Sequence, residues 1–395
     1  MEKFYLKDIF LKPISGEWGN EVKDDEKGYP VIRTTNFTNA GEVNYDELAY
    51  RDIDISIKKD KLLKRGDIII EKSGGTPKTP VGRVVYFDIE DENYFTNNFT
   101  AILRTKNGIN SKYVFYMMNY LHKIGVVLKY QNKTTGILNL KLSDYLKNTK
   151  IKLPQLNIQN STVDKLDKLK TLIQTRQDQI QALDDLVESV LYNFLNNYIS
   201  NQVDISEVLV KIISGKSLAG DAPSNYRVLK TSCLYSGYFD ENEWKYLPVD
   251  YTPSEDHFIK KDDILVSRMN TEELVGANVY VWKNYPNLTN PDRIWRLITN
   301  DKINNIYLWK LMQTNFYKNQ IYKISTGTSG SMKNISQKNF ADIKIILPPI
   351  SQQNLFAAFV EKIEKQKQIL NDSLGQLRVL FDSLMQDAFD GSMSK

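Results

Sequence analysis

The sequence predicts an α+β protein with an internal two-fold repeat, in which two mixed α/β domains are joined by two long helices that form an antiparallel coiled coil. Two observations predict this fold. The 395-residue chain repeats its short motifs at a nearly constant offset, and each copy ends in a long segment with apolar residues seven positions apart. Its 41% hydrophobic and 25% charged residues are typical of a folded chain.

The repeat is visible in matching motifs. Leu153-Pro154, followed by Gln159-Asn160, recurs 194 residues later as Leu347-Pro348, followed by Gln353-Asn354. Other pairs keep offsets of 194 to 199 residues: Ile14-Ser15-Gly16 with Ile213-Ser214-Gly215, Val31-Ile32-Arg33-Thr34 with Val228-Leu229-Lys230-Thr231, Asp67-Ile68 with Asp263-Ile264, and Asn139-Leu140 with Asn334-Ile335. One module is therefore written twice. The predicted parts are a first domain (1–150), a first helix (151–200), a second domain (201–346) and a second helix (347–395).

The two closing segments carry heptad patterns. The seven-residue series are Leu166, Ile173, Ile180, Val187 and Phe194 in the first, and Phe356, Ile363, Leu370, Leu377 and Leu384 in the second. Polar residues interrupt the accompanying a positions at Lys170, Gln177, Asp184 and Lys367. A helix of about 40 residues is roughly 60 Å long, which is longer than a small domain is wide. The helices are therefore expected to pair with each other, and an antiparallel arrangement is preferred over a parallel one.

The domain before each helix has a different character. β-like runs occur at Asp67–Ile70 and Asp263–Val266, and turn signals at Ser73-Gly74-Gly75 and Ser329-Gly330. Short helical patterns fall at Tyr113–Leu121 and Tyr307–Tyr317, in matching places of the two copies. The strand order cannot be deduced from these patterns.

Charge and composition limit the class of protein. The two helices together carry a net charge of −4 and the rest of the chain +8, which favours a polyanionic partner for the domains. The start of the chain lacks an apolar signal sequence, and no segment is long and apolar enough to cross a membrane, so a cytoplasmic protein is expected. A single Cys233 and two histidines predict neither a disulfide framework nor a zinc site. No cofactor or metal is expected.

Polar loops at equivalent places of the two copies are the candidate binding elements. Hydroxyls, backbone amides and lysines suit phosphate oxygens, while arginine and amide side chains can contact base edges. Ser, Thr, Gly and Asn also simply form turns, so each single loop is a weak indication. The candidate DNA-contacting residues are Arg33, Thr34, Lys72, Ser73, Lys78, Gln131, Asn132, Lys133 and Thr134 in the first copy, and Lys230, Arg268, Asn270, Thr328, Ser329 and Lys333 in the second.

Catalytic motifs are not evident. Gly215-Lys216-Ser217 resembles the end of a P-loop but lacks the first glycine, since position 210 is Val. The sequence has no Asn-Pro-Pro-Tyr tetrapeptide typical of amino-methyltransferases. Glu71-Lys72 is the nearest candidate for a nuclease site, but its counterpart is Ser267-Arg268, so no catalytic residue is assigned.

Two polar modules, each closed by a Leu-Pro strand, a Gln-Asn pair and a long helix, resemble the specificity subunits of type I restriction-modification enzymes. The most specific segment is Ile343–Gln353 with the following helix, and its first copy, Thr149–Leu156, has Pro154-Gln155 in place of Pro-Pro. The resemblance covers nearly the whole chain. It implies two target-recognition domains that bind a bipartite, asymmetric site on double-stranded DNA. It also implies that the helices set the separation and dock two methyltransferase subunits, with restriction subunits joining through the complex.

Two alternatives belong to other classes. A coiled-coil scaffold with duplicated protein-binding domains would not bind DNA, and a nuclease with an unrecognised site would show metal-dependent turnover. Salt-sensitive, sequence-selective duplex binding distinguishes the specificity subunit from both.

Overall fold

The computed structural model describes residues 3–22, 28–38, 40–76, 79–90, 93–134, 137–327 and 332–390. The chain divides into two compact units. Unit 1 contains Met1–Gln177 and Asp372–Lys395, and unit 2 contains Asp178–Asn371. Each unit therefore includes a domain and parts of both long helices.

The elements of the first repeat copy, in chain order, are β1 (Lys3–Tyr5), α1 (Leu6–Ile9), β2 (Ile14–Ser15), β3 (Tyr29–Ile32), β4 (Ala49–Arg51), α2 (Ile55–Lys58), β5 (Ile68–Glu71), β6 (Ser73–Gly75), β7 (Val84–Tyr86), β8 (Phe95–Thr96), β9 (Thr100–Leu103), α3 (Ser111–Lys123), β10 (Gln131–Thr134), β11 (Ile137–Leu140), α4 (Leu142–Asn148), β12 (Lys150–Lys152) and α5 (Leu156–Asn196).

The second copy continues with β13 (Gln202–Asp204), β14 (Leu209–Ser214), β15 (Arg227–Leu229), β16 (Trp244–Tyr246), β17 (Ile264–Ser267), β18 (Met269–Asn270), β19 (Asn278–Tyr280), β20 (Leu288–Thr289), β21 (Ile294–Thr299), α6 (Asn305–Met312), α7 (Asn315–Ile324), β22 (Lys333–Asn334), α8 (Gln337–Ala341), β23 (Lys344–Ile346) and α9 (Ile350–Phe389).

The two copies form sheets of the same order. Unit 1 has a four-stranded antiparallel sheet, β2-β9-β5-β7, and unit 2 has its counterpart, β14-β21-β17-β19. The mixed sheets β4-β3-β8 and β16-β15-β20 also correspond, as do the pairs β1-β12 and β13-β23. The sheet β10-β11-β6 is matched by the smaller β18-β22. The predicted internal repeat of mixed α/β domains is confirmed.

The two long helices run antiparallel within each unit. In unit 1 the start of α5, at Val163 and Leu166, shares a core with the end of α9. In unit 2 the end of α5 meets the start of α9, where the rings of Phe194 and Phe356 stack with centroids 5.6 Å apart. The predicted antiparallel pairing is confirmed.

The helices differ from the prediction in two details. Met385 and Phe389 lie outside the predicted seam, yet both are buried in the core of unit 1, where the ring centroid of Tyr113 on α3 lies 5.2 Å from that of Phe389. The helical pattern predicted at 307–317 is interrupted, because Thr314 caps a new helix by accepting a hydrogen bond from the backbone N–H of Tyr317. Packing against the domain thus adds buried positions that the heptad does not contain.

The Gln-Asn pair of each copy connects the long helix to its domain. The side-chain oxygen of Gln159 accepts from the N–H of Asn110 at 3.0 Å, and Asn160 accepts from the Asn110 amide at 2.8 Å. Asn110 also caps α3 by accepting from the N–H of Tyr113. The pair therefore fixes the start of α3 against the first turns of α5.

Unit 2 repeats these contacts. Gln353, which is fully buried, accepts from the N–H of Asn304 at 2.9 Å, and Asn354 accepts from the Asn304 amide at 2.9 Å. Asn304 caps α6 in turn. The sequence marker of the repeat is thus a structural contact made twice.

Two further repeat motifs have structural roles. The aspartate of each Asp-Ile motif is buried and forms an ion pair with an arginine of the same sheet, Asp67 with Arg104 at 2.8 Å and Asp263 with Arg296 at 2.6 Å. The glycine of each Ser-Gly motif lies against backbone: a Cβ at Gly215 would stand 1.7 Å from the carbonyl oxygen of Asn290. The ion pairs thus join chain segments at the four-stranded sheets, and the glycines permit close backbone contacts that a side chain would prevent.

No helix among the described residues is long and apolar enough to cross a membrane.

Candidate nucleic-acid interface

Lys72 and Arg268 occupy the same place in the two units. Each follows an inner strand of its four-stranded sheet, β5 or β17, and precedes a short strand, β6 or β18. The N–H of Lys72 donates to the Phe99 carbonyl at 2.7 Å, and the N–H of Arg268 donates to the Arg293 carbonyl at 3.0 Å. Their own carbonyls accept from Leu140 and Ile335, at 2.8 and 2.9 Å. The structure therefore makes these two predicted cations equivalent.

The Lys72 ammonium lies in a polar, half-buried setting. Its Nζ donates to the Ser15 hydroxyl at 2.9 Å. Burial, with a smaller contribution from the positive charge of Lys61, lowers the pKa of Lys72. Lys61 itself is paired with Glu17 at 2.7 Å. Lys72 thus has no carboxylate partner among the ion pairs of the described residues.

The neighbouring Glu71 is held by an ion pair. Both of its carboxylate oxygens accept from Arg83, at 2.9 and 3.0 Å, and Glu71 is buried. Arg83 also donates to the carbonyl of Thr34 at 3.2 Å. Glu71, which the sequence analysis considered as part of a nuclease site, is therefore engaged in an ion pair with Arg83. Arg83 also connects Thr34 to the Glu71-Lys72 segment.

Arg33 and Lys230 are also equivalent, since each follows the middle strand of a three-stranded sheet. Arg33 donates from Nη2 to the carbonyl of Glu47 at 2.8 Å. The Lys230 ammonium lies 3.7 Å from Glu243, and both side chains are more than one third exposed. Both cations remain partly accessible.

Several predicted loop residues lie in strands. Ser73 belongs to β6, and Gln131–Thr134 form β10, which pairs with β11. Gln131 donates to the carbonyl of Val81 at 3.0 Å, whereas Asn132 is exposed. For Lys133 and Thr134 only the strand backbone is described. The turn predicted at Ser73–Gly75 is wrong, because these residues form an edge strand against β11.

The second unit places its candidates on the matching β18-β22 pair. Asn270 on β18 lies directly opposite Lys333 on β22. The Asn270 amide approaches the hydroxyl of Ser267 at 3.4 Å, and Lys333 pairs with Glu272 at 3.6 Å. The structure thus brings Arg268, Asn270 and Lys333 together. The candidates Lys78, Thr328 and Ser329 lie outside the described residues.

The prediction missed two stacked arginines. The guanidinium of Arg51 lies 4.6 Å from the ring centroid of Trp18, and that of Arg227 lies 4.6 Å from the ring of Trp244. Each arginine stands opposite a tyrosine in its three-stranded sheet: Arg51 on the edge strand β4 faces Tyr29, and Arg227 on the middle strand β15 faces Tyr246. Trp18 and Arg51 are 33 positions apart, so no local pattern could indicate the stack.

Three of these arginines have an unsatisfied donor. The Nε atoms of Arg33, Arg51 and Arg268 are buried and have no hydrogen-bond partner among the described residues. A buried N–H without an acceptor is costly, and guanidinium groups are well suited to phosphate oxygens and guanine edges. All three side chains are partly exposed, so their other guanidinium nitrogens are the donors that an anionic partner could reach.

Comparisons with known sequences identify the family. A family model for the type I restriction modification DNA specificity domain matches residues 1–184 and 201–378. The chain is 24% identical over 408 residues to the EcoKI specificity subunit of Escherichia coli strain K12, covering 95% of this chain and 84% of that protein. It is 22% identical over 423 residues to the MjaVIII specificity subunit of Methanocaldococcus jannaschii, covering 97% and 91%.

Solved structures share the fold. The S subunit of a type I restriction-modification system from M. genitalium matches with a TM-score of 0.59 at 15% identity, over 98% of this chain and 96% of that chain. A structure from a study of assembly and conformational transition of the type I R-M system matches with a TM-score of 0.55 at 13% identity, over 98% and 97%. The family model matches both repeat copies, and the chain belongs to the family of type I restriction-modification DNA specificity subunits.

Proposed function

We propose that this chain recognises a bipartite, asymmetric target on double-stranded DNA, with one half bound by each unit. The observation that carries the proposal is the equivalence of Lys72 and Arg268. The same position of the same sheet order holds a cation in both units, but the cation and its neighbours differ. The equivalent positions of Lys72 and Arg268 favour the same orientation of each unit on its part of the duplex. Their different side chains favour two different half-site sequences.

The domains divide accordingly in this proposal. Residues 1–150 and 201–346 are the first and second target-recognition domains, and residues 151–200 and 347–395 are the spacer helices. α5 alone has 41 residues, which corresponds to roughly 60 Å. A spacer of this length is compatible with half-sites about one to two helical turns of DNA apart.

The contact residues fall into two chemical groups. The lysines and hydroxyls suit phosphate oxygens, and this group consists of Thr34, Lys72, Ser73, Lys78, Lys133, Thr134, Lys230, Thr328, Ser329 and Lys333. The arginines and amides suit base edges, and this group consists of Arg33, Gln131, Asn132, Arg268 and Asn270. Arg268 is the preferred base-contacting residue, because it is an arginine at the position equivalent to Lys72 and its side chain is partly exposed.

The chain is proposed to be a non-catalytic, cytoplasmic subunit of a larger complex. Its partners would be two methyltransferase subunits, with restriction subunits joining through the complex. Large apolar side chains that the two helices leave exposed support docking of a protein partner. The most exposed of them are Tyr192 on α5, and Leu355, Ile369, Val379 and Leu380 on α9.

Methylation mapping tests the proposed contacts. The full chain is assembled with the methyltransferase subunits of its own system, and the modified sites are mapped for wild type, Arg268→Ala and Lys72→Ala. Arg268→Ala should relax preference at one base pair, at a cost of about 1–3 kcal/mol, whereas Lys72→Ala should weaken all sites uniformly. Lys283→Ala, which removes a surface ion pair with Glu241, is the control. An unchanged motif for Arg268→Ala would remove this residue from the base contacts.

A domain exchange tests the modular arrangement. Replacing residues 1–150 by the equivalent domain of a relative should change one half-site and leave the other intact. A change in both halves would contradict recognition of one half by each unit.

Activity assays on the purified chain test the proposed non-catalytic role. Without added subunits it should neither methylate nor cleave duplex DNA. Turnover by the chain alone would contradict a non-catalytic role.

A further inference from the structure

Unit 2 contains a network of charged groups, including two buried lysines, between its domain and the two helices. Lys310 and Lys367 are only 5% and 4% exposed. Lys310 pairs with Glu364 at 3.2 Å, and Lys367 contacts both Asp184 and the hydroxyl of Tyr238. Tyr238 donates to Asp184 at 2.8 Å. We call these five residues the unit 2 charge network.

The network joins three separate parts of the chain. Asp184 belongs to α5, Glu364 and Lys367 belong to α9, and Tyr238 and Lys310 belong to the domain between the helices. The Lys367 ammonium also lies 4.2 Å from the ring centroid of Tyr238. The three parts therefore meet at the buried Lys367 of α9, which contacts Asp184 of α5 and Tyr238 of the domain.

The energy balance of such ion pairs indicates that the unit 2 charge network positions the helices and the domain more than it stabilises the fold. Removing ammonium and carboxylate groups from water costs about as much as their attraction returns, so apolar residues of similar size often stabilise a core equally well. Hydrogen bonds and ion pairs, however, tolerate little displacement, and polar groups at a positions of coiled coils are known to fix register. Asp184 and Lys367 are both predicted a positions.

Unit 1 has a different arrangement at the corresponding helix positions. At the repeat offset of 194 residues, Ile173 replaces Lys367, Lys170 replaces Glu364, and Arg378 replaces Asp184. Lys170 forms a partly exposed pair with Glu42, and Arg378 is exposed. None of the described charged residues on α5 and α9 in unit 1 is buried. The network is a feature of the second unit.

We infer that the unit 2 charge network is a specificity-determining element that sets the separation between the two half-sites. It does so by fixing the second domain to both helices in one orientation. Because the network lies at the helices and contacts no proposed base-contacting residue, it should not affect which bases are recognised. This inference rests on the proposed function, since it assumes a bipartite target.

The test replaces three of the five network residues by apolar groups, so that no buried charge is left without its partner. Asp184→Leu, Lys367→Met and Tyr238→Phe are combined in the full chain, which leaves the Lys310–Glu364 pair in place. The matched control is Lys123→Met with Asp382→Leu, which removes an ion pair between α3 and α9 whose side chains are both 58% exposed.

Each protein is assembled with its methyltransferase subunits and given a set of duplexes. These carry the half-sites mapped for the wild type at separations one and two base pairs shorter or longer than the native one. Wild type and control should methylate the native separation selectively. The triple variant should keep both half-sites but lose about tenfold of the discrimination against a one-base-pair change.

The outcomes are separable. Unchanged separation selectivity in a folded triple variant would overturn the inference while leaving the proposed function intact. A wild type without any bipartite target would overturn the proposed function itself. If the triple variant does not fold, Tyr238→Phe alone decides in the same assay: a broader range of separations supports the inference, and an unchanged range overturns it.

Discussion

Replacing Gln353 by leucine removes three hydrogen bonds at the start of the second long helix, two of which join this helix to its domain. The side chain of Gln353 accepts from the N–H of Asn304 and donates to the carbonyls of Lys302 and Pro348, at 2.9, 3.1 and 2.8 Å. Because Gln353 is fully buried, water cannot replace these bonds. At about 1 kcal/mol for each hydrogen bond, Gln353→Leu should lower the free energy of unfolding by about 3 kcal/mol.

The equivalent residue of the first copy provides an internal comparison. Gln159 makes two of these bonds, to the N–H of Asn110 and the carbonyl of Pro154. Gln159→Leu should therefore cost about 2 kcal/mol. Each kcal/mol corresponds to about 2–4 °C in the Tm of a unit of this size.

Differential scanning calorimetry of the full chain measures both effects. Gln353→Leu should lower the Tm of the unit 2 transition, and Gln159→Leu should lower that of unit 1 by less. The control is Gln368→Leu on the exposed face of α9, which should change stability by no more than about 0.5 kcal/mol. If Gln353→Leu unfolds at the temperature of this control, the Gln-Asn pair does not fix the helix to the domain.

Gly215→Ala should lower the free energy of unfolding by more than about 2 kcal/mol, because the added Cβ would overlap backbone atoms, whereas Gly375→Ala on α9, with no neighbouring atom within 4 Å, should raise it by about 0.5–1 kcal/mol. Urea unfolding compares the two. Arg296→Met should lower the free energy of unfolding by about 3–5 kcal/mol because it leaves Asp263 buried and unpaired, and the double variant Arg296→Met with Asp263→Leu should recover most of this loss. If the single and the double variant are destabilised equally, the ion pair is not the cause of the loss. Lys72→Ala should reduce the salt dependence of duplex binding by about one unit of slope. Since burial lowers the pKa of Lys72, its contribution to binding should be present below that pKa and disappear as the pH rises through it, at a lower pH than for an exposed lysine; a pH titration of wild type against Lys72→Ala measures this.

The repeat and the helices could be predicted from the sequence because their signals are local or periodic. The Leu-Pro and Gln-Asn motifs recur at a fixed offset, and the structure places each copy in the same contact with Asn110 or Asn304. The seven-residue spacing of apolar positions likewise depends only on neighbouring turns of one helix.

The small sheets could not be predicted in this way. Ser73–Gly75 has the composition of a turn, and it becomes a strand only because β11, more than 60 positions later, pairs with it. The stack of Arg51 on Trp18 and the partnership of Glu71 with Arg83 also join separate elements. Such contacts depend on the tertiary fold, so sequence patterns indicated polar candidates without their geometry.

Unit 1 is built from two separate segments of the chain, Met1–Gln177 and Asp372–Lys395, and this affects folding during synthesis. The core of this unit, which begins at Leu6, includes Met385 and Phe389 near the other end of the chain. At about 5–20 residues per second, Phe389 is synthesised roughly 10–40 s after Gln177. Unit 2 has all of its residues before then. Tyr113 and its neighbours must therefore stay uncovered until α9 is complete. Termination of translation directly after residue 371 would release a chain with all residues of the second unit and an open first one.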